Sequence, residues 1–272
     1  MTLQVINFTC DKDAPSVIEL MADIPTPLEL NYDSDVWELE NLKYIDERLL
    51  KFVSAWGRPY GFIQEQGGAI VQNLFPIRKN ENDQISSSSK ATLEMHTETA
   101  FHPWRPHYIV LLCLRGDDSA GTTYALLEDI MNALPDGFPE ILHQPMFETT
   151  LDQSFQSDKQ KNATIRTPVL FNNSSSMTYD RVLMRGLNND AQRALDELSK
   201  AIERVKQTFH LSAGQVAIIE NWRVVHGRTP FVPRYDGTDR WIKRVMVRRS
   251  MPPQIEISEI PNSDNYVVTT TF

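Results

Sequence analysis

Residues 219–231 read Ile219-Glu-Asn-Trp-Arg-Val-Val-His226-Gly-Arg-Thr-Pro-Phe231. This segment predicts a strand that runs into a histidine, followed by a turn at the glycine. A histidine in such a position has two interpretations. It is either held in the core by a backbone carbonyl or offers a ring nitrogen to a ligand, and the rest of the chain must decide between them.

A second segment supplies possible partners for His226. His96 and Glu98 are separated by Thr97, and residues i and i+2 of a strand point to the same face. Taken alone the triplet also fits an ordinary polar loop. Together with His226 it gives two imidazoles and one carboxylate, a set that suits a non-haem Fe(II) oxygenase with open coordination positions. A structural zinc site more often uses four protein ligands.

Two arginines follow His226 in an alternating pattern. Arg240 lies fourteen residues downstream, and Arg240, Ile242, Arg244 and Met246 share one face if this segment is a strand. If that face points inward, two guanidinium groups enter the interior, where each needs an anionic partner. Fixed acidic side chains are one possibility. Small-molecule carboxylates are the other, since arginine suits bidentate carboxylate binding.

The remaining pattern predicts a mainly β protein with flanking helices, as a distorted barrel or sandwich. Helices are predicted over 33–56, 128–134 and 190–209, and the main strands over 108–115, 122–127, 215–219 and 241–249. Residues 1–272 are predicted to form one domain. Residues 77–95, which contain four consecutive serines, are predicted to form a mobile loop before the metal motif. This loop is either a plain surface loop or a lid.

Composition narrows the class of protein. A formal net charge of −9 argues against nucleic-acid binding. No apolar run approaches the ~20 residues of a membrane helix, and the N-terminus lacks the pattern of a secretory signal. Cys10 and Cys113 form no paired spacing motif. We therefore expect a cytoplasmic protein that binds neither membrane nor nucleic acid; the sequence leaves its oligomeric state open.

Several motifs, in order and spacing, give the chain a family resemblance over roughly residues 58–250. It resembles the Fe(II)/2-oxoglutarate-dependent oxygenases of the clavaminate synthase-like, TauD-related family, in the branch of the amino-acid hydroxylases. The motifs are Glu65-Gln66-Gly67-Gly68, His96-Thr97-Glu98, Ala120-Gly121-Thr122-Thr123, Asn221 to Arg228, and Tyr235 to Arg244.

The resemblance implies a double-stranded β-helix (jelly-roll, cupin-like) core that uses Fe(II), 2-oxoglutarate and O₂. His96, Glu98 and His226 would be the catalytic metal ligands. Arg240 would bind the distal carboxylate of 2-oxoglutarate. Thr122 or Thr123 would hydrogen-bond the same carboxylate, and Thr123 is the preferred choice.

For the substrate, the resemblance implies contacts from Gln66, Glu98, Asp180 and Arg244. Arg244 would hold the α-carboxylate of an amino acid and Gln66 its α-amino group, while Asp180 would recognise the side chain. Arginine hydroxylases tend to carry two acids two residues apart in this segment. This chain has Val182 as the second residue, which disfavours a guanidinium substrate.

The implied activity is hydroxylation of an unactivated C–H bond of an L-amino acid or an amino-acid-derived small molecule, in specialised metabolism. Glu98 favours hydroxylation over halogenation, because related halogenases replace this carboxylate by a small residue. The same chemistry also serves desaturation or cyclisation, and a carrier-bound or peptide substrate stays open. A zinc hydrolase would leave Arg240 and Arg244 without a role, and a non-catalytic carboxylate-binding barrel would leave the metal ligands without one.

Overall fold

Two β-sheets face each other at the centre of the molecule. The computed structural model describes residues 2–8, 21, 40–156, 163–250, 257–259 and 266–268. The larger sheet runs β1-β13-β5-β15-β2-β17-β16, with β3 also paired to β15. Its strands are β1 (Leu3–Asn7), β2 (Arg58–Phe62), β3 (Val71–Leu74), β5 (Tyr108–Arg115), β13 (Gln215–Glu220), β15 (Trp241–Arg248), β16 (Ile257–Glu259) and β17 (Tyr266–Val268).

The smaller sheet carries the histidines found in the sequence. Its order is β12-β6-β14-β4, and all its neighbouring strands are antiparallel. Its strands are β4 (Leu93–His96), β6 (Thr122–Leu126), β12 (Gln207–Phe209) and β14 (Val224–Arg228). The remaining short strands form two small sheets at the side, from β7 (Phe147–Thr150), β8 (Thr164–Thr167), β9 (Leu170–Phe171), β10 (Ser176–Met177) and β11 (Met184–Gly186).

Helices cover the outer faces of both sheets. The helices whose bounds the structure describes are α1 (Glu40–Val53), α2 (Leu127–Ala133), α3 (Phe138–Leu142) and α4 (Asn189–Val205). In α1 an apolar stripe packs on the outside of the large sheet, formed by Leu42, Ile45, Leu49 and Val53. Burying each such side chain contributes about 1.5–3 kcal/mol. The helices α2 to α4 pack on the outside of the small sheet, and a third cluster fills the space between the sheets.

The predicted elements agree well with the structure where it describes them. The strand predicted over 108–115 is confirmed residue for residue, and residues 33–39 of the first predicted helix lie outside the described residues. The last predicted helix ends earlier, at Val205, because residues 207–209 pair with β6. Its N-cap is Asn188, rather than the predicted Asn189 or Asp190: the Asn188 side chain accepts a 2.8 Å hydrogen bond from the Ala191 amide.

The segment before β4 is fastened to the barrel in this structure. Ser88 and Ser89 are buried. The Arg228 guanidinium donates hydrogen bonds to the Ser88 hydroxyl (2.8 Å) and the Ser89 carbonyl (3.2 Å). The mobility of residues 77–95 stays a prediction. None of the helices in the described residues is long and apolar enough to cross a membrane.

Candidate metal centre and active site

The two histidines and the glutamate meet at the edge of the small sheet. His226 of β14 pairs directly with His96 at the end of β4, and their ring centroids are 4.6 Å apart. Glu98 lies two residues beyond β4. One ligand atom from each of His96, Glu98 and His226 lies within 4.8 Å of the others. The predicted convergence is therefore present in the structure.

The surroundings of each ring leave a nitrogen available for a metal. His96 Nδ1 lies 2.8 Å from the Glu94 carbonyl, so Nδ1 carries the proton and Nε2 keeps its lone pair. His226 Nε2 faces Glu98 Oε2 at 3.7 Å. One carboxylate and two imidazoles with a fixed ring orientation fit a divalent iron ion.

Charges around the site favour the metal-binding protonation states. Burial raises the pKa of Glu98, but Arg244, His226 and His96 outweigh it and hold that pKa well below its usual range. Glu98 is therefore a carboxylate. Burial lowers the pKa of His226, against the opposing effect of Glu98, so its imidazole is neutral at pH 7. A neutral imidazole is the form that binds a metal.

Asn221 connects the segment of His226 to that of Glu98. Its fully buried side chain accepts a 2.7 Å hydrogen bond from the Glu98 amide and donates one of 3.1 Å to the Glu98 carbonyl. A third hydrogen bond reaches the Pro106 carbonyl at 3.1 Å. Asn221, in the turn between β13 and β14, thus fixes the backbone of the candidate metal ligand Glu98.

Replacing Asn221 should weaken both the fold and the metal site. In Asn221→Ala the buried Glu98 amide loses its acceptor, which should cost about 1–3 kcal/mol of unfolding free energy. Fe(II) affinity should fall about 10- to 100-fold, as for other residues that orient ligands. Denaturant unfolding and Fe(II) titration measure the two effects. Asn132→Ala, on the exposed side of α2, is the control; unchanged Fe(II) affinity in Asn221→Ala would contradict the positioning role.

Gly227 is required by close packing rather than by a turn. The sequence suggested a glycine turn after His226, but Gly227 lies inside β14, between β4 and β6. A Cβ at this position would collide with the Leu93 carbonyl oxygen and lie 3.0 Å from Thr123 Oγ1. Glycine therefore lets the strands of the metal site approach each other.

A cavity of about 600 Å³ opens beside the three ligands, between the two sheets. Arg240 and Arg244 both line it, so the predicted inward face of β15 is confirmed. Arg240 is 9% exposed. Within the described residues it has no hydrogen-bond or ion-pair partner, and burial lowers its pKa. A buried guanidinium that has no anionic partner among the described residues favours the binding of an anionic ligand.

The strand register separates the two candidate threonines. Thr122 lines the cavity and Thr123 does not. Thr123 Oγ1 donates to Met95 Sδ at 3.3 Å, and Met95 belongs to the core outside the small sheet. Alternation along β6 places Thr122 on the inner face. The preference for Thr123 therefore does not match the geometry.

Arg244 is held by three neighbours. Its guanidinium donates to Gln72 (2.7 Å), Glu98 (2.9 Å) and Glu65 (3.0 Å). Burial lowers its pKa, but Glu98 and Glu65 raise it above the usual value, so it is a permanent cation. A guanidinium has five N–H groups, which leaves two for a ligand.

Glu65 is a site residue that the sequence analysis missed. Gln66 lines the cavity, but its amide both donates to the Asn73 carbonyl and accepts from the Asn73 amide, each at 3.0 Å. Glu65, its neighbour, instead points its carboxylate at Arg244. The signal for Glu65 was present in the sequence, as the acidic residue of the Glu65-Gln66 motif. Sequence alone, however, does not show which of two adjacent side chains faces a cavity.

Two further acids line the cavity. Asp180, which was predicted, forms a β-bridge with His96. Asp152, which was not, follows β7 in a stretch without recognisable family motifs. The structure thus brings together the three candidate metal ligands, both arginines, Gln66, Asp180 and, of the two candidate threonines, Thr122. It adds Glu65 and Asp152.

Comparison with known proteins agrees with this geometry. The profile of the family described as "Taurine catabolism dioxygenase TauD, TfdA family" matches residues 39–246. The chain is 36% identical over 203 residues to an L-asparagine oxygenase of Streptomyces coelicolor, covering 73% of this chain and 60% of that protein. The chain thus spans about 55–64% of the length of the curated relatives first matched.

Solved structures share the fold. A mutant of the non-heme iron oxygenase OrfP in complex with (3S)-hydroxy-L-Arg superposes with a TM-score of 0.82 at 30% identity, covering 98% of this chain and 81% of that one. OrfP in complex with Fe and alpha-ketoglutaric acid gives 0.76 at 33% identity, covering 92% and 76%. The predicted double-stranded β-helix core is confirmed. With about three quarters of its length matched by the family profile, the chain belongs to the TauD/TfdA dioxygenase family.

Proposed function

We propose that the protein is an Fe(II)- and 2-oxoglutarate-dependent dioxygenase that hydroxylates an unactivated C–H bond of an L-amino acid or amino-acid-derived small molecule. One observation carries the proposal: Arg240, which is buried and has no partner among the described residues, lines the same cavity as the convergent His96, Glu98 and His226. Neither a zinc hydrolase nor a non-catalytic barrel accounts for both features.

His96, Glu98 and His226 would hold Fe(II) and leave the remaining coordination positions to ligands. Bound Fe(II) would supply O₂ activation, coupled to conversion of 2-oxoglutarate into succinate and CO₂ while one oxygen atom enters the substrate C–H bond. The protein's own task is to bind and orient the reactants and to shield the reacting atoms from water.

Arg240 would pair with the distal carboxylate of 2-oxoglutarate, and the Thr122 hydroxyl would donate to the same group. Thr122 replaces Thr123 in this role because its side chain lines the cavity. No anion of the described residues forms an ion pair with Arg240, so the co-substrate would supply the negative charge that this guanidinium needs.

Arg244 would receive the substrate α-carboxylate on its two remaining N–H groups. Glu65, 3.0 Å from Arg244, would accept from the α-ammonium group, with Glu98 nearby. Gln66 would then act by holding β3 in place through Asn73, rather than by the direct contact that the resemblance implied. Arg244 and Glu65 would thus bind the α-carboxylate and α-ammonium groups, and Asp180 would contact the substrate side chain. This arrangement supports an amino-acid substrate, as do the relatives named as an L-asparagine oxygenase and an L-lysine 3-hydroxylase.

Desaturation, cyclisation and a carrier-bound or peptide substrate stay alternatives within the same chemistry. We also propose that residues 1–272 act as one domain in the cytoplasm. The buried, unpaired thiol of Cys113, whose pKa burial raises to about 12, fits a reducing compartment.

The proposal is tested by adding Fe(II) and 2-oxoglutarate anaerobically and recording the visible spectrum. A weak metal-to-ligand charge-transfer band is expected, since 2-oxoglutarate would bind directly to the Fe(II) ion. A succinate-release screen over the L-amino acids, followed by mass spectrometry for the gain of one oxygen atom, then identifies substrate and outcome. A protein that binds both compounds without the band, or binds Zn²⁺ and hydrolyses amides, would reject it.

A further inference from the structure

The charges that line the cavity fall into two groups. Arg228 and Arg240 both line the cavity, and the charge of Arg240 helps to lower the pKa of Arg228. Asp152 lies close enough to Glu65, Asp180 and Arg244 to affect all three. Under the proposed function, Arg240 of the basic group would bind 2-oxoglutarate. The acidic group around Asp152 would then lie next to the amino-acid substrate.

Asp152 is fixed in place without being neutralised. It caps a short 3₁₀ turn, and its Oδ1 accepts hydrogen bonds from the amide and hydroxyl of Ser154, both at 3.0 Å. Among the described residues no cation pairs with it, and no hydrogen-bond donor reaches its Oδ2. The carboxylate is therefore held rigidly, with one oxygen available to a ligand in the cavity.

Asp180 is held in the same manner. Its Oδ1 accepts from the amides of Val182 (2.8 Å) and Leu183 (2.7 Å), and within the described part of the chain no arginine or lysine forms an ion pair with it. Asp152 and Asp180 are both half-buried and line the same cavity, so burial and mutual repulsion disfavour their two negative charges. A cation placed beside both acids would relieve this cost of burial and repulsion.

The charge balance of the cavity leaves these two acids unpaired. Arg244 already pairs with Glu65 and Glu98, and Arg240 would pair with 2-oxoglutarate. The α-ammonium group of the substrate would be satisfied at Glu65. Asp152 and Asp180 therefore need a positive charge that the described protein groups do not supply.

We infer that Asp152 and Asp180 together bind a positively charged side-chain terminus, so that the preferred substrates are L-amino acids with an ammonium or guanidinium group. This inference rests on the proposed function. It revises the expectation that Val182 disfavours a guanidinium substrate, because that expectation took account only of the segment around Asp180. The second acid comes instead from the end of β7, 28 residues before Asp180 in sequence but beside the same cavity.

The test compares ligands that share a shape and differ in charge. L-Arginine and L-citrulline are nearly isosteric, but only arginine carries a side-chain charge; L-lysine and L-ornithine extend the cationic set. Calorimetric titration of the protein loaded anaerobically with Fe(II) and 2-oxoglutarate should show at least one cationic amino acid binding about 30-fold or more tighter than L-citrulline and L-asparagine.

Variants assign the preference to the two acids. Asp152→Asn keeps the Oδ1 acceptor for Ser154 but removes the charge, so it should weaken binding of the cationic amino acid about 30-fold and leave L-citrulline within about 3-fold. Asp180→Asn should act similarly, and Asp152→Glu should restore part of the preference. Asp136→Asn, which is exposed and outside the cavity, is the matched control.

Two outcomes would overturn the inference: neutral amino acids binding as tightly as cationic ones, or a charge preference that survives Asp152→Asn. Calorimetry reads amino-acid binding whether or not turnover occurs. A failure of the proposed function would appear separately, as absent 2-oxoglutarate binding in the same apparatus.

Discussion

His226→Ala should abolish 2-oxoglutarate turnover while leaving the protein folded. The substitution removes one of the three proposed metal ligands, and changes to residues that only orient ligands already cost about 10- to 100-fold in metal affinity or activity. The loss should therefore exceed ~100-fold in succinate formation. Folding should survive, because Nδ1 of His226 has no hydrogen-bond partner within the described residues that the substitution could break.

Succinate release under saturating Fe(II) measures the effect, and circular dichroism with thermal unfolding establishes that the variant is folded. His210→Ala, which removes an exposed histidine outside the cavity, should behave as the parent. Normal succinate production by folded His226→Ala would refute the metal assignment, and with it the reaction class.

The two cavity arginines should respond in opposite ways to the same substitution. Arg240→Met should raise the Kd of 2-oxoglutarate about 30- to 700-fold, equivalent to ~2–4 kcal/mol for a buried charge pair. It should also stabilise the ligand-free protein by about 1 kcal/mol, because it replaces an unpaired buried charge by an apolar side chain.

Arg244→Met should raise the KM of the amino acid far more than that of 2-oxoglutarate. It should destabilise the protein by about 3–5 kcal/mol, because Glu65 and Glu98 would remain buried without their cation. Binding titrations for both ligands and denaturant unfolding of both variants give the four values. Equal effects of the two variants on the two ligands would reject the division of roles, and a destabilised Arg240→Met would show that Arg240 has a structural partner.

Much of the metal site could be predicted because its signal is local. His96 and Glu98 are two residues apart, and Arg240 and Arg244 alternate on one strand, so each pair needs only the geometry of an extended chain. The family resemblance of the surrounding motifs then predicted that His226 lies close to His96 and Glu98. Helix and strand boundaries followed from periodicity, except where pairing overrode it, as at residues 207–209, which leave the helical pattern to extend the small sheet.

The sequence could not decide between two adjacent residues that differ only in the direction they face. Thr122 and Thr123, and likewise Glu65 and Gln66, have similar chemistry and positions one apart, so a shift of one residue exchanges the inner and outer faces. Asp152 was missed for a different reason. Its proposed role depends on the side chains that surround it in the cavity, and no local sequence pattern predicts those neighbours.

The sequence by itself indicated a mainly β fold, a candidate set of metal ligands and a pair of arginines on one face. Spacing along a strand shows which side chains share a face, and the family resemblance related the distant segments to each other. Only the tertiary structure decided that Arg240 has no ion-pair partner among the described residues while Arg244 has two carboxylate partners. It also decided that Thr122, Glu65, Asp152 and Asp180 line one cavity. Charge compensation depends on distances between segments far apart in the chain, and these are set by how the two sheets pack.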